Sequence, residues 1–202
     1  MAAGNRAAEG DSPVRERIVA AAVDLFAEQG YDATSVNEIV GRAAVAKGAL
    51  YHHFAAKDDL LYEVYGALVE RQLAGLREIL AGGLDPAATV RALIADLVVT
   101  TADSAARAKV FAREGHRLGD AHQQRVRQAR RAIHDGFRSV IERAQQDGRF
   151  RAVASPEMVT FTVFGVINEL PVWYQPDGEK SADAIATELS DLVLAALLPP
   201  RG

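Results

Sequence analysis

From Thr34 to Lys57 the chain reads T-S-V-N-E-I-V-G-R-A-A-V-A-K-G-A-L-Y-H-H-F-A-A-K, and this stretch gathers the side chains best suited to phosphate and base chemistry. From Ile39 to Lys57 the formal charges are Arg42, Lys47 and Lys57, all positive, with His52 and His53 beside them. Tyr51, His52 and His53 offer O–H and N–H donors to phosphate oxygens. Lys57 adds an ammonium near a helix N-terminus, whose dipole also draws anions. Lys47, Gly48 and Ala49 open the same segment, where base edges come into reach and a glycine permits close backbone approach. Thr34 and Ser35 are further hydroxyl donors at a helix start. Taken singly, each of these has a plainer role as a cap or packing residue. Together they describe a helix placed in the major groove of DNA.

Two short helices must position them. Ser35 and Glu38 form an S-x-x-E capping box, so the first begins at about Val36. Val36, Ile39, Val40 and Ala43 give it one apolar stripe. Ala44-Val45-Ala46 is the break, with Val45 as the plug that holds the crossing angle. The second helix spans roughly Lys47 to His53, with Leu50 and Phe54 facing inward and Lys47, Gly48, Ala49, Tyr51, His52 and His53 on the other face.

Elsewhere the apolar period is helical and no stretch alternates as a strand does. Ser12-Pro13 reads as the start of a first helix, with Val14, Ile18, Ala22, Leu25 and Phe26 inward and Gly30 at its end. Further helices are expected from Lys57 to about Leu80, Pro86 to Ala102, Ala105 to Arg117, Asp120 to Gln146, Pro156 to Trp173 and Ser181 to Leu198. The expectation is an all-α fold of nine helices. The helix ending at Trp173 is apolar nearly all round, as one buried between layers or at a subunit interface is.

Composition narrows the function. The formal net charge of −4 argues against a large basic footprint, so any DNA contact is local and weakens sharply with salt. With no cysteine there is no disulfide framework and no thiolate metal site. No apolar run approaches the roughly 18 residues that span a bilayer, and no signal peptide is apparent, so a cytoplasmic protein is expected. Residues 1–11 read as a disordered tail. Nothing resembles a catalytic motif, a cofactor loop or a metal-ligand set, so neither enzyme activity nor a cofactor is expected.

The segment from Val14 to about Gln72 resembles the DNA-binding domain of the TetR/AcrR family of bacterial transcriptional regulators. The matching residues are Ala22, Leu25, Phe26, Gly30-Tyr31, Thr34, Ile39, Ala43, Val45, Lys47-Gly48, Leu50-Tyr51-His52-His53-Phe54, Lys57 and Leu60. The resemblance implies a helix-turn-helix head over residues 12–56 and a helical ligand-binding and dimerisation bundle over 57–202. It further implies a homodimer through helices eight and nine, a palindromic operator and repression relieved by a small-molecule effector. Three residues depart from the family pattern: Ala44 replaces the turn glycine, and Ala46 and Ala56 replace helix-capping Ser or Thr.

Effector candidates are Phe111, Glu114, Arg117, Phe164, Asn168, Trp173 and Tyr174. Asn168, Trp173, Tyr174, Pro176 and Gly178 are similar to the end of helix eight in family members that respond to acyl-coenzyme A thioesters, although Glu169 stands where those have tryptophan. The arginine-rich stretch from Arg107 to Arg151 is either a solvated basic face or a collector of effector phosphate. The alternative to a regulator is a helical protein–protein adaptor that has lost specific DNA binding, favoured by the three alanines.

A missing cap typically costs about 0.5–2 kcal/mol. Replacing Ala46 or Ala56 by Ser is therefore expected to raise the melting temperature without changing the helical circular-dichroism spectrum. Unchanged or lowered stability in both variants would show that the caps lie elsewhere.

Overall fold

The computed structural model describes the backbone of residues 4–199 and the side chains of residues 13–199. Among the described residues the chain forms nine α-helices, a 3-10 turn and no strand. These are α1 (Gly4–Gln29), α2 (Val36–Ala43), α3 (Lys47–His53), α4 (Lys57–Ala81), α5 (Pro86–Asp103), α6 (Ala105–Glu114), α7 (Asp120–Gln146), α8 (Pro156–Trp173) and α9 (Ala182–Leu197), with the 3-10 turn Gly115–Arg117 after α6. They group into two compact units. One runs to Ala67 and takes in Ala106–Arg125; the other comprises Leu68–Ala105 and the chain from Val126 onward.

In the first unit α1 packs against α2 and α3. Ile18, Ala22, Phe26, Ile39, Leu50, Leu60, Leu61 and Val64 are closed to solvent and form its core. Gly30 ends α1 with φ 89°, a turn that a side chain resists. The capping box is complete: Ser35 Oγ accepts the Glu38 N–H at 3.2 Å and Glu38 Oε2 accepts the Ser35 N–H at 2.7 Å.

In the second unit α5 packs on α8 and α9, around Val90, Ile94, Val98, Phe137, Ile141 and Val163, all closed to solvent. Asp85, Ser155 and Ser181 cap α5, α8 and α9, and Pro86 and Pro156 occupy first-turn positions where their missing N–H costs nothing. Gln72 Nε2 donates to the hydroxyls of Thr100 and Thr101, at 3.1 Å each, tying α4 to α5.

Three expectations need correction. Ser12-Pro13 does not start α1: Pro13 lies inside a helix that begins at Gly4, and residues 4–11 are helical where a disordered tail was expected. Pro13 brings no N–H to the helix, which runs through it without that one hydrogen bond. The expected tail's residues 1–3 lie outside the described residues. The helix expected to reach Arg117 tightens into the 3-10 turn at Gly115, where a β-carbon would stand 2.8 Å from the Phe111 ring.

Ala44 sits at φ 52°, ψ 49°, the one non-glycine with positive φ among the described residues. The turn takes a left-handed conformation that glycine adopts more readily than alanine. Val45 N–H reaches the Val40 carbonyl at 3.1 Å, closing the end of α2 in the Schellman manner. Ala46 makes no side-chain cap to α3. At Ala56 the loss is smaller, because Asp59 Oδ2 accepts the Ala56 N–H at 2.9 Å and supplies half a capping box without a serine.

A left-handed L-residue costs about 1–2 kcal/mol, and glycine gives back part of that through its freer unfolded chain. Ala44→Gly is therefore expected to raise the thermal midpoint by about 1–4 °C. A fall in a differential scanning calorimetry trace would show that the turn carries no such strain.

Candidate nucleic-acid interface

The outer face of α3 is built from its inner one. Leu50 is closed to solvent and Phe54 is 4% exposed, and these two anchors turn the remaining side chains of α3 outward. Lys47, Gly48 and His52 are exposed, Ala49 and His53 half-buried, and Tyr51 is 49% exposed despite its size. An aromatic ring left in water beside a lysine has no packing reason to be there. Nor does Gly48, since a β-carbon at this position would meet nothing within 4 Å. Glycine inside a helix costs about 1 kcal/mol against alanine, so its use here serves something outside the fold. The His52 and His53 rings stand edge to face at 5.3 Å, extending the same surface.

Of the other residues expected to face DNA, Thr34 and Lys57 are committed inward, while Arg42 and Ser35 stay exposed. Thr34 is 2% exposed and its hydroxyl donates to the Gly30 carbonyl at 2.7 Å, so it locks the end of α1 and presents no donor to a phosphate. Lys57 Nζ donates to the carbonyls of Tyr31 at 2.6 Å and Thr34 at 2.8 Å, and lies over the Tyr31 ring at 4.0 Å. Burial pushes its pKa below the usual lysine range, with the charges of Asp32 and Glu38 pulling it back. Arg42 forks onto Glu28 at 3.0 and 2.9 Å, and that hydrogen-bonded pairing holds the Glu28 carboxyl below its usual range. Both groups are exposed, so the pair is lightly held. Ser35 is exposed and serves the capping box. The outward face of α3 thus comprises Lys47, Gly48, Ala49, Tyr51, His52 and His53, with Ser35 and Arg42 also exposed on α2 and its start.

Sequence reasoning missed the residues that hold this unit from behind. An Arg113 amino group donates to the Phe26 carbonyl, and both of its amino groups lie 3.3 Å from that of Ala27, at the end of α1. Arg117 pairs with Asp32 at 2.6 Å. Asp58 accepts the Gly119 N–H at 3.0 Å and meets His122 Nδ1 at 2.6 Å. No local pattern announces such pairs, because their members are between 61 and 87 residues apart.

The effector candidates fall into different units. Phe111, Glu114 and Arg117 belong to the first: Phe111 stacks on Tyr65 at 3.7 Å, buried Glu114 accepts from Arg113 Nε at 2.8 Å, and Arg117 is paired as above. They do structural work there. Phe164, Asn168, Trp173 and Tyr174 belong to the second. Phe164 is buried against His134 at 3.8 Å, and burial pushes the His134 pKa down. Arg130 donates to Asn168 Oδ1 at 3.4 Å, and Trp173 is 47% exposed. On α8 Met158, Phe161, Val172 and Trp173 leave an apolar face open, and on α9 Leu192 is 72% exposed.

Residues 18–64 match the family model for bacterial regulatory proteins of the tetR family, and residues 83–197 match that of a tetracyclin repressor-like C-terminal domain. The HTH-type transcriptional repressor KstR2 of Rhodococcus jostii (strain RHA1) is 28% identical over 193 residues, covering 95% of this chain and 95% of its own. Among solved structures, the TetR family transcriptional regulator PfmR from Thermus thermophilus superposes with a TM-score of 0.80 at 26% identity, covering 91% of this chain and all of that one. AibR in complex with isovaleryl coenzyme A and operator DNA superposes with a TM-score of 0.74 at 20% identity, covering 89% of this chain and 97% of its own.

Salt dependence separates outward-facing from inward-facing cations, since removing one phosphate-binding cation lowers the slope of log affinity against log salt by about 0.9. Lys47→Ala is expected to lower that slope. Lys57→Met is expected to leave it unchanged while destabilising the protein by about 1–3 kcal/mol, because two carbonyls lose their donor. A lowered slope in Lys57→Met at unchanged stability would return Lys57 to the DNA surface.

Proposed function

The chain belongs to the TetR family of bacterial regulatory proteins, and from that premise we propose that it represses transcription as a homodimer on a palindromic operator and releases it on binding an effector. It is a DNA-binding transcriptional regulator, not an enzyme. The observation that carries the reading is the outward face of α3, where Lys47, Gly48 and Tyr51 stand open over the buried Leu50 and Phe54.

In this proposal residues 12–56 read the DNA, and residues 57–202 dimerise and hold the effector. The open apolar residues of α8 and α9 support an isologous contact through those helices, since such a face left in water is costly. Two reading helices related by a two-fold axis then require a palindrome with half-sites about one DNA turn or more apart. Among the described residues no helix is long and apolar enough to cross a membrane, which fits a cytoplasmic regulator.

The effector proposed is an acyl-CoA thioester or a similar hydrophobic molecule, held in the second unit among α4, α5, α7 and α8. The Arg130–Asn168 pair supports it, placing a guanidinium beside the residue that carries the resemblance to acyl-CoA-responsive relatives. Isovaleryl coenzyme A on AibR makes the ligand class a reasonable first choice. Effector binding would shift α4, which continues into the reading unit, so that paired half-sites are no longer met together.

Sheared genomic DNA selected on the purified protein at rising salt is expected to yield a few sites sharing one palindrome. Medium- and long-chain acyl-CoAs are expected to release those sites and raise the thermal midpoint. Uniform retention lost at modest salt would replace the regulator with the adaptor. Tight operator binding undisturbed by any acyl-CoA would remove the ligand class.

A further inference from the structure

The first turn of α4 carries two adjacent carboxylates, Asp58 and Asp59, and each spends one oxygen on a backbone donor. Asp59 Oδ2 accepts the Ala56 N–H at 2.9 Å, and Asp58 Oδ1 accepts the Gly119 N–H at 3.0 Å. The other two oxygens converge on one imidazole. His122 Nδ1 lies 2.6 Å from Asp58 Oδ2, and Nε2 lies 3.5 Å from Asp59 Oδ1. The Tyr62 ring stacks on the imidazole at 4.4 Å, and the His122 side chain is only 15% exposed. A neutral imidazole carries one N–H, so it serves one carboxylate and turns a lone pair to the other. An imidazolium turns an N–H toward each, as a hydrogen bond to Asp58 and a longer charge contact to Asp59.

We propose that His122 is a positioning residue for DNA reading, a proton-operated clasp that closes in the imidazolium form on Asp58 and Asp59 and loosens when it loses the proton. Its effect on DNA rests on the regulator reading above. The route is short: only Phe54, Ala55 and Ala56 separate the reading helix from α4. Ala56 has no side chain with which to cap α4, so Asp59 fixes that corner through the Ala56 N–H. Asp58 meanwhile ties it to the start of α7 through Gly119. When His122 turns a lone pair to Asp59 in place of a proton, the two charges at the corner repel and the α3–α4 junction gains freedom.

The charged and titratable groups near the clasp come from several elements, with Asp120 and Arg125 within three residues of His122 on α7. From α4 come Asp58, Asp59 and Tyr62, and Glu63, which is occupied by Arg15 at 2.6 Å. From the α1–α2 connection comes Tyr31, whose hydroxyl pKa is raised by burial and then by Asp58, Asp32 and Asp59, so the carboxylate charge reaches it. Lys57 Nζ lies over that ring, 4.0 Å from its centre. On α7 itself Gln123 donates to the Leu118 carbonyl at 2.7 Å, holding the turn that presents Gly119.

The test compares wild type with His122→Gln at about pH 6 and about pH 8, either side of the ordinary imidazole range. Gln keeps a donor and an acceptor but does not titrate. Both proteins keep His52 and His53, so whatever that pair contributes is common to the two. Affinity for the genomic palindrome in wild type is expected to fall about five- to tenfold more between the two pH values than in His122→Gln. Amide hydrogen exchange over residues 47–60, corrected for its intrinsic pH dependence, is expected to quicken in wild type alone. Asp58→Asn keeps an acceptor for Gly119 and should flatten the same profile if His122→Gln does not fold. Equal pH responses in wild type and variant, in both readouts, would overturn the clasp. If no selective site exists the regulator reading falls, and the exchange comparison alone still decides for or against the clasp.

Discussion

The Lys57 ammonium, held over the Tyr31 ring and donating to the carbonyls of Tyr31 and Thr34, is the point on which the reading unit closes. Everything between α1 and α2 ends there. Gly30 turns the chain out of α1, Thr34 bonds back to the Gly30 carbonyl, and Ser35 starts α2, so the connection is a tight coil of backbone with carbonyls pointing inward. Buried carbonyls need donors, and a charged donor strengthens each bond it makes. Without Lys57 the same carbonyls would have to reach water, and α2 would lose its fixed relation to α4. The orientation of α3, lying between them in sequence, follows from that relation.

Around this fixed point the helix-turn-helix is assembled with little surplus. Ala44 adopts a left-handed conformation without glycine's freedom, and Ala46 leaves the first turn of α3 uncapped. Gly48 weakens the same short helix from within. Seven residues with two such deficits would not hold a helix alone. What holds α3 is burial of Leu50 and Phe54 against α1, reinforced from behind by the carboxylate, imidazole and guanidinium contacts of Asp58, His122 and Arg113. The outward face is consequently free to be chosen for contact and not for stability.

Charge is distributed on the same principle. The chain is acidic overall, yet the exposed residues of α3 include no carboxylate. Several acids of the first unit are occupied: Glu28 by Arg42, Glu38 by Ser35 and Gln29, Asp32 by Arg117, Glu63 by Arg15. A negative protein thereby presents a locally positive surface, and a footprint this small makes affinity depend on shape and base contact as well as on salt.

Caps, prolines and a 3.6-residue apolar period act within a few residues, so which segments are helices, and where most of them start, can be read along the chain. The capping box of α2, the proline starts of α5 and α8, and the glycine end of α1 were all legible on those grounds. The outward face of α3 was legible too, since Leu50 and Phe54 could face only inward. Tertiary structure decided what the remaining polar residues do. Thr34 and Lys57 looked like phosphate donors by type and position, and only the closed connection beside them shows carbonyls nearer than any phosphate could come. Pro13 lies inside α1, where a local proline signal would have started it. The ties from Arg113, Arg117 and His122 were invisible because pairs so far apart in sequence leave no period or spacing behind. They exist only once burial of apolar faces has brought α6 and the start of α7 against the reading helices.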